Sequence, residues 1–274
     1  MEFIFWLLFV GIFIAMLQDL KRREVDNWLN LLLVFCGWSF LVFEAIFNSD
    51  VQLIFISISC FILMFLIANL FYYGRVFSGG DAKLLFAMFA AFVGAGFYLT
   101  MLNVAVFIVL LLVSGAIYGL FYMGFLVFRD FKKMKKTIYD EFRRGYVKLG
   151  ILISMIVIVG GFFISIFFSF GILFLIASIA FPFIRAIEKD SMMRLVDPKN
   201  LRLGDFLARD VKFGTKTIRS RWEGISEEDL IVLKKSKKKI MIKEGIPFVP
   251  AFFIAFIAYV FLKEEIFAIL TNIF

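Results

Sequence analysis

The sequence predicts an all-α polytopic membrane bundle of six to eight spanning helices, with a small cytoplasmic α+β domain before the last helix. Three observations predict it. Hydrophobic residues make up 62% of the 274 positions, and the mean hydropathy is +0.95, far outside the range of water-soluble chains. Apolar runs recur near the length of about 20 residues that a spanning helix needs. One extended polar stretch, Arg185–Glu244, interrupts them late in the chain.

In chain order the expected spans are Phe3–Leu17, Trp28–Phe47, Val51–Tyr73, Leu84–Tyr98, Met101–Phe128, Leu149–Phe168, Phe170–Ile184 and Gly245–Leu262. The apolar stretch Leu149–Ile184 is too long for one ordinary span. It reads as a tight helical hairpin broken at Ser169-Phe170-Gly171, which gives eight spans. Six result if this stretch lies partly at the interface. The first helix opens on an acid, lacks a small-residue cleavage site and stops at Lys21-Arg22-Arg23, so it does not read as a cleavable signal peptide.

The expected domains are a membrane bundle over 1–184, a cytoplasmic domain over 185–244 and a last transmembrane helix over 245–274. Within the polar region, Val211–Arg219 has the composition of a strand. Ser226-Glu227-Glu228-Asp229 reads as an N-cap with an acidic first turn. Lys238–Lys243 alternates around Ile240 and Ile242. About 60 residues make a marginal core, so this domain is expected to lean on the bilayer or the bundle. No internal repeat is visible.

Positive charge sets the orientation. With eight spans, every Lys and Arg of the 30 except Lys263 falls on one side, which is then the cytoplasm. The opposite loops at Asn48–Asp50, Thr100 and Ser169 carry none, and both termini are expected outside. The net charge of +8 resides in runs such as Lys132–Lys136 and Lys234–Lys239 beside membrane helices. These read as topology determinants resting on anionic headgroups, not as a nucleic-acid surface.

Composition also narrows the chemistry. The chain has no histidine, which removes Ser-His-Asp triads, Ser-His dyads and HExxH zinc sites. Its two cysteines, Cys36 and Cys60, fall inside apolar helices and read as small hydrophobes, so no thiolate metal cluster is expected. No GxxxxGK[ST] stretch occurs. Neither a metal nor a cofactor is expected.

Paired carboxylates survive this elimination. Asp19 closes the first helix, and Asp81 stands in Ser78-Gly79-Gly80-Asp81-Ala82-Lys83 at the start of the fourth. Helices two and three form an out-and-back hairpin, so both acids return to one membrane face. The same parity excludes Glu44. Two neighbouring carboxyls share one proton, so one can take a proton from water while the other polarises a scissile carbonyl. Their titration belongs to the pair, so neither has a fixed role.

Each residue also has a structural reading. Gly79-Gly80 either breaks a helix or lets the backbone turn tightly and approach a substrate. Asp19 is either a surface acid paired with Lys21 or Arg23, or half of the pair. Glu24 and Asp26 read as solvated. Lys83 either marks the cytoplasmic boundary or biases the ionisation of Asp81.

These residues resemble the type IV prepilin peptidases, membrane aspartic proteases of the GxGD class, and especially their archaeal preflagellin peptidase branch. The family pattern Gly-x-Gly-Asp-x-Lys is similar to Ser78–Lys83, with Ser78 in place of the first glycine. The family's other aspartate corresponds to Asp19, followed by Lys21-Arg22-Arg23 and Val25-Asp26-Asn27. Gly245-Ile246-Pro247-Phe248-Val249-Pro250-Ala251-Phe252 resembles the opening of the family's last helix. The hairpin Leu149–Ile184 and the cytoplasmic domain exceed what the minimal archaeal enzyme would have.

The resemblance implies catalytic Asp19 and Asp81, supporting or substrate-binding Gly79, Gly80 and Lys83, and no cofactor. It implies a multi-pass enzyme that removes short basic leaders from prepilin-like or preflagellin-like precursors at the cytoplasmic face. The chain lacks CxxC pairs and room for the cysteine-rich domain of bacterial members, so peptidase activity without methylation is expected. Presenilin-type enzymes carry a Tyr-Asp pair within a helix, whereas Tyr139-Asp140 here lies in a basic loop. Two alternatives remain: a proton- or ion-coupled transporter, and a scaffold whose acids are incidental. Substrate identity and oligomeric state stay open.

Overall fold

The computed structural model describes residues 2–162, 165–213, 216–236 and 238–273. In chain order its helices are α1 (Glu2–Arg22), α2 (Asn27–Phe47), α3 (Val51–Tyr73), α4 (Gly79–Ala87), α5 (Phe97–Phe142), α6 (Gly145–Gly160), α7 (Ser165–Ala186), α8 (Glu227–Lys234) and α9 (Val249–Ile273). Short strands β1 (Met193–Val196), β2 (Phe206–Leu207), β3 (Val211–Phe213), β4 (Lys216–Ile218) and β5 (Ile240–Lys243) fall between α7 and α9. The result is a polytopic helix bundle with a small α+β region. Two compact units form: 1–120 with 246–274, and 121–245. The α6–α7 hairpin therefore groups with the residues of 185–244.

In the first unit, α1 buries a stripe at helical spacing, Ile4, Leu8, Gly11, Ile12, Ala15 and Asp19, and exposes Phe3, Trp6, Val10 and Leu17. A bilayer makes that outer face inexpensive, because lipid solvates apolar side chains. Facing stripes run along α2 (Leu29, Asn30, Leu33, Gly37, Leu41, Ala45) and α3 (Ile56, Ser57, Cys60, Met64, Ala68). The Phe5–Phe256, Phe9–Phe253 and Phe13–Phe253 ring pairs, 5.2–6.2 Å between centroids, lock α9 along α1.

The expected fourth span, Leu84–Tyr98, is not one helix. α4 ends at Ala87, a 3₁₀ turn covers Phe89–Phe92, and α5 starts only at Phe97. Phe89 and Phe92 anchor this break at the centre of the unit, each fully buried. Phe89 packs on Trp38 and Phe61, and Phe92 on Phe107 and Tyr259. Backbone that leaves the helix in a membrane protein needs other partners for its carbonyls. Cys60 Sγ donates to the Phe89 carbonyl at 3.4 Å, and Asn103 Nδ2 donates to that of Phe92 at 3.1 Å. Cys60 is thus a donor as well as a small hydrophobe.

In the second unit the apolar hairpin turns at Gly161-Phe162, not at Ser169-Phe170-Gly171, which lies inside α7. A Cβ on Gly171 would fall 2.6 Å from Ile158 Cγ1, so that glycine serves close helix packing instead of a break. Residues 163–164, within the expected span Leu149–Phe168, lie outside the described residues. Strand β5 sits between β1 and β2, antiparallel to both. The single strand expected over Val211–Arg219 is two, β3 and β4, paired with Val211 opposite Ile218; residues 214–215 are outside the described set. As expected, Ser226 caps α8 by accepting from the Asp229 N–H, and β5 alternates around Ile240 and Ile242.

Among the described residues, five helices are long and apolar enough to cross a membrane: Glu2–Arg22, Asn27–Phe47, Val51–Tyr73, Phe97–Phe142 and Ile166–Ser191. The helix Gly145–Gly160 is shorter. Three of the eight expected spans are not among the five: α4 is broken, the early hairpin turn leaves α6 at 16 residues, and α9 carries Lys263, Glu264 and Glu265 within its length.

Candidate active site

Asp19 sits in the last turn of α1, on the same stripe that buries Ile12 and Ala15, and is only 6% exposed. Among the described residues it forms no ion pair with Lys21. Its Oδ2 accepts from the Val249 N–H at 3.0 Å. Val249 opens α9, whose first N–H groups have no partner inside the helix. Pro247 and Pro250 flank it and bring no N–H of their own. The N-terminus of α9, with its partial positive charge, is therefore directed at a carboxylate. Arg23 lies close enough to act electrostatically on the same group.

Asp81 is the third residue of α4 and is 8% exposed. It forms a reciprocal capping box with Ser78: the Ser78 hydroxyl accepts from the Asp81 N–H at 3.3 Å, and Asp81 Oδ2 accepts from the Ser78 N–H at 3.0 Å. Both acids belong to the first unit, close enough for the Asp19 charge to bear on Asp81.

Gly79 and Gly80 occupy the first turn of α4, and neither has the left-handed backbone that a tight glycine turn requires. The helix start is made by Ser78. A Cβ on Gly80 would meet only ordinary contacts, the nearest being Ser78 Oγ at 3.7 Å and the Val25 nitrogen at 3.9 Å. Lys83 Nζ donates to Asn27 Oδ1 at 2.8 Å, which ties α4 to the start of α2. Asp26 is paired with Arg22 at 2.6 Å, and that guanidinium holds its carboxyl below the usual range. Among the described residues, no three His, Cys, Asp or Glu side chains gather to hold a metal ion.

Three contributors went unassigned from sequence. The Val249 N–H and the Lys83–Asn27 bond join residues far apart in the chain, and no local signal marks such pairs. The Ser78–Asp81 box was legible, because Ser-x-x-Asp before an apolar run is a helix-start signature.

Residues 6–120 match the family model described as the type IV leader peptidase family. That stretch contains both Asp19 and Asp81. The chain is similar to peptidases. It is 25% identical over 129 residues to a preflagellin peptidase of Methanococcus maripaludis (strain C6 / ATCC BAA-1332). That alignment covers 44% of this chain, which spans 56% of the length of the relative. No solved structure matches. The five membrane-length helices support a multi-pass membrane protein, and the likenesses make it similar to this general class of peptidase.

Proposed function

We propose that this chain is a membrane aspartic endopeptidase of the archaeal prepilin and preflagellin type, with Asp19 and Asp81 as its catalytic pair. The supporting observation is that two buried carboxylates, 62 positions apart, come from helix ends of one compact unit. One helix N-terminus is directed at Asp19 and another carries Asp81.

The chemistry follows from that arrangement. The pair holds one proton between its two members. The ionised carboxylate accepts a proton from water as it attacks the scissile carbonyl, while the protonated one donates to the developing oxyanion. Proton transfer from the first acid to the leaving amine then releases the products. Fixed N–H donors at each carboxylate keep it oriented without reorganisation during the reaction.

The substrates are precursors with a short basic leader ahead of an apolar helix, cut at the cytoplasmic face. Flanking Lys and Arg at that face set the orientation, and packing of the substrate helix beside the bundle lowers the entropy of alignment. The test uses membranes containing the full chain and a tagged precursor. Asp19→Asn and Asp81→Asn should each abolish leader removal, a loss of at least about a thousandfold, with insertion unchanged. Full cleavage by Asp81→Asn would end the assignment.

A further inference from the structure

Asn30 is 3% exposed, on the buried stripe of α2, yet neither its Nδ2 nor its Oδ1 has a hydrogen-bond partner among the described residues. Buried side-chain amides are nearly always bonded, because stripping water from them without replacement is costly. Leu33, one turn further along, fills the same stripe with an apolar side chain.

Its level in the unit is fixed by two close contacts. Gly37 meets Ala90, and Asn27 is bonded to Lys83, so α2 and the α4 segment run side by side in the same direction. The Lys83–Asn27 bond sets the start of α2 beside the first turns of α4. At 1.5 Å per residue, Asn30 is about 4.5 Å further along α2 than Asn27. On the other side, Gly11 meets Leu33, and α1 runs opposite to α2. Asn30 is then level with Ile14, about 7.5 Å deeper than Asp19. Asn30 therefore lies deeper in the bundle than Asp19, and one turn beyond the α2 residue that Lys83 reaches.

We infer that Asn30 is a substrate-binding residue whose carboxamide pairs with a backbone amide of the precursor, on the membrane side of the cleaved bond. This rests on the peptidase reading. A carboxamide offers one acceptor and two donors, the complement of a peptide C=O and N–H. Just past the cleavage point a precursor begins its apolar helix, and the first N–H groups of a helix lack internal partners. In an apolar surrounding those groups need a protein acceptor. Asn30 Oδ1 supplies it at the right depth, and Nδ2 holds the adjoining carbonyl. The substrate is thereby set in register against the acids.

The test measures binding and turnover separately, with a synthetic precursor peptide carrying a basic leader and an apolar helix. Binding is measured on the full chain carrying Asp81→Asn, with and without Asn30→Leu, a near-isosteric apolar replacement. We expect Asn30→Leu to weaken binding about 10- to 100-fold. In the Asp81-containing chain it should raise KM with little change in kcat, as loss of uniform binding does. Methylating the matching peptide nitrogen should cost the parent the same factor and cost Asn30→Leu nothing further. The melting temperature should hold or rise, since an unbonded buried amide has been removed.

Unchanged affinity and KM in Asn30→Leu would overturn the inference while leaving the peptidase reading intact. Asn30-dependent binding without cleavage by the parent would uphold the binding site and overturn the peptidase. A parent that neither binds nor cleaves the peptide overturns both.

Discussion

Ser78 does for Asp81 what Val249 does for Asp19: each gives one backbone N–H to an Oδ2. A carboxylate held by a backbone donor cannot swing away, so its free edge faces a defined direction. The position of Ser78 can be tested by comparing two changes. Ser78→Ala removes the N-cap hydroxyl and should destabilise the protein by about 1 kcal/mol, whereas Ser78→Gly should cost only a few tenths. Thermal unfolding in detergent would show the order, and precursor cleavage by the two variants should follow it. Equal melting points would mean that the cap contributes nothing. Asp19 and Asp81 were legible as candidates because an acid beside an apolar run is conspicuous. Their backbone partners were not, since Val249 is 230 residues from Asp19.

Among the elements, the α4 segment shows where periodicity misleads. Leu84–Tyr98 is apolar throughout, and an all-apolar run reads equally as a spanning helix or as buried irregular backbone. The decision came from Phe89 and Phe92, whose rings find partners on α2, α3, α5 and α9 only if the helix breaks at Met88. Close packing against that break relies on glycine. A Cβ on Gly37 would stand 2.9 Å from the Ala90 Cβ, on a fully buried segment that cannot retreat, whereas one on Gly11 would meet the mobile end of Leu33 at 2.5 Å. Gly37→Ala should therefore lose about 1–3 kcal/mol through overpacking. Gly11→Ala should lose less, because Leu33 can rotate aside and alanine favours the helix by about 1 kcal/mol over glycine. Melting temperatures of the two variants check the ranking, and a reversed order would contradict the packing at Ala90.

For the whole molecule, charge asymmetry makes a prediction that needs no knowledge of the site. Lys and Arg crowd into the α1–α2 turn, the end of α5 and the region between α7 and α9, while Asn48–Asp50 carries none. By the positive-inside tendency, the former are expected to face the cytoplasm and the latter to face away from it. In a chain whose Cys36 and Cys60 are replaced by serine and alanine, Asn48→Cys should react with an impermeant maleimide on intact cells. Lys199→Cys should react only after permeabilisation. The opposite pattern would place the aspartates away from the face where basic leaders are available, and would remove the proposed substrate class.

The sequence by itself determined that the chain lives in a bilayer, where its first three spans lie, that α8 and β5 form, and which two acids merit attention. These follow from local quantities: apolar run length, helical spacing and capping residues. Only the tertiary structure decided that α4 breaks, that the hairpin turns at Gly161, that α9 points its N-terminus at Asp19, and that Asn30 is buried without a hydrogen-bond partner among the described residues. Each of these depends on which side chains meet across the bundle. In an apolar medium many helix arrangements bury the same surface, so the polar contacts and the fit of rings against glycines select among them, and neither is written in any single segment.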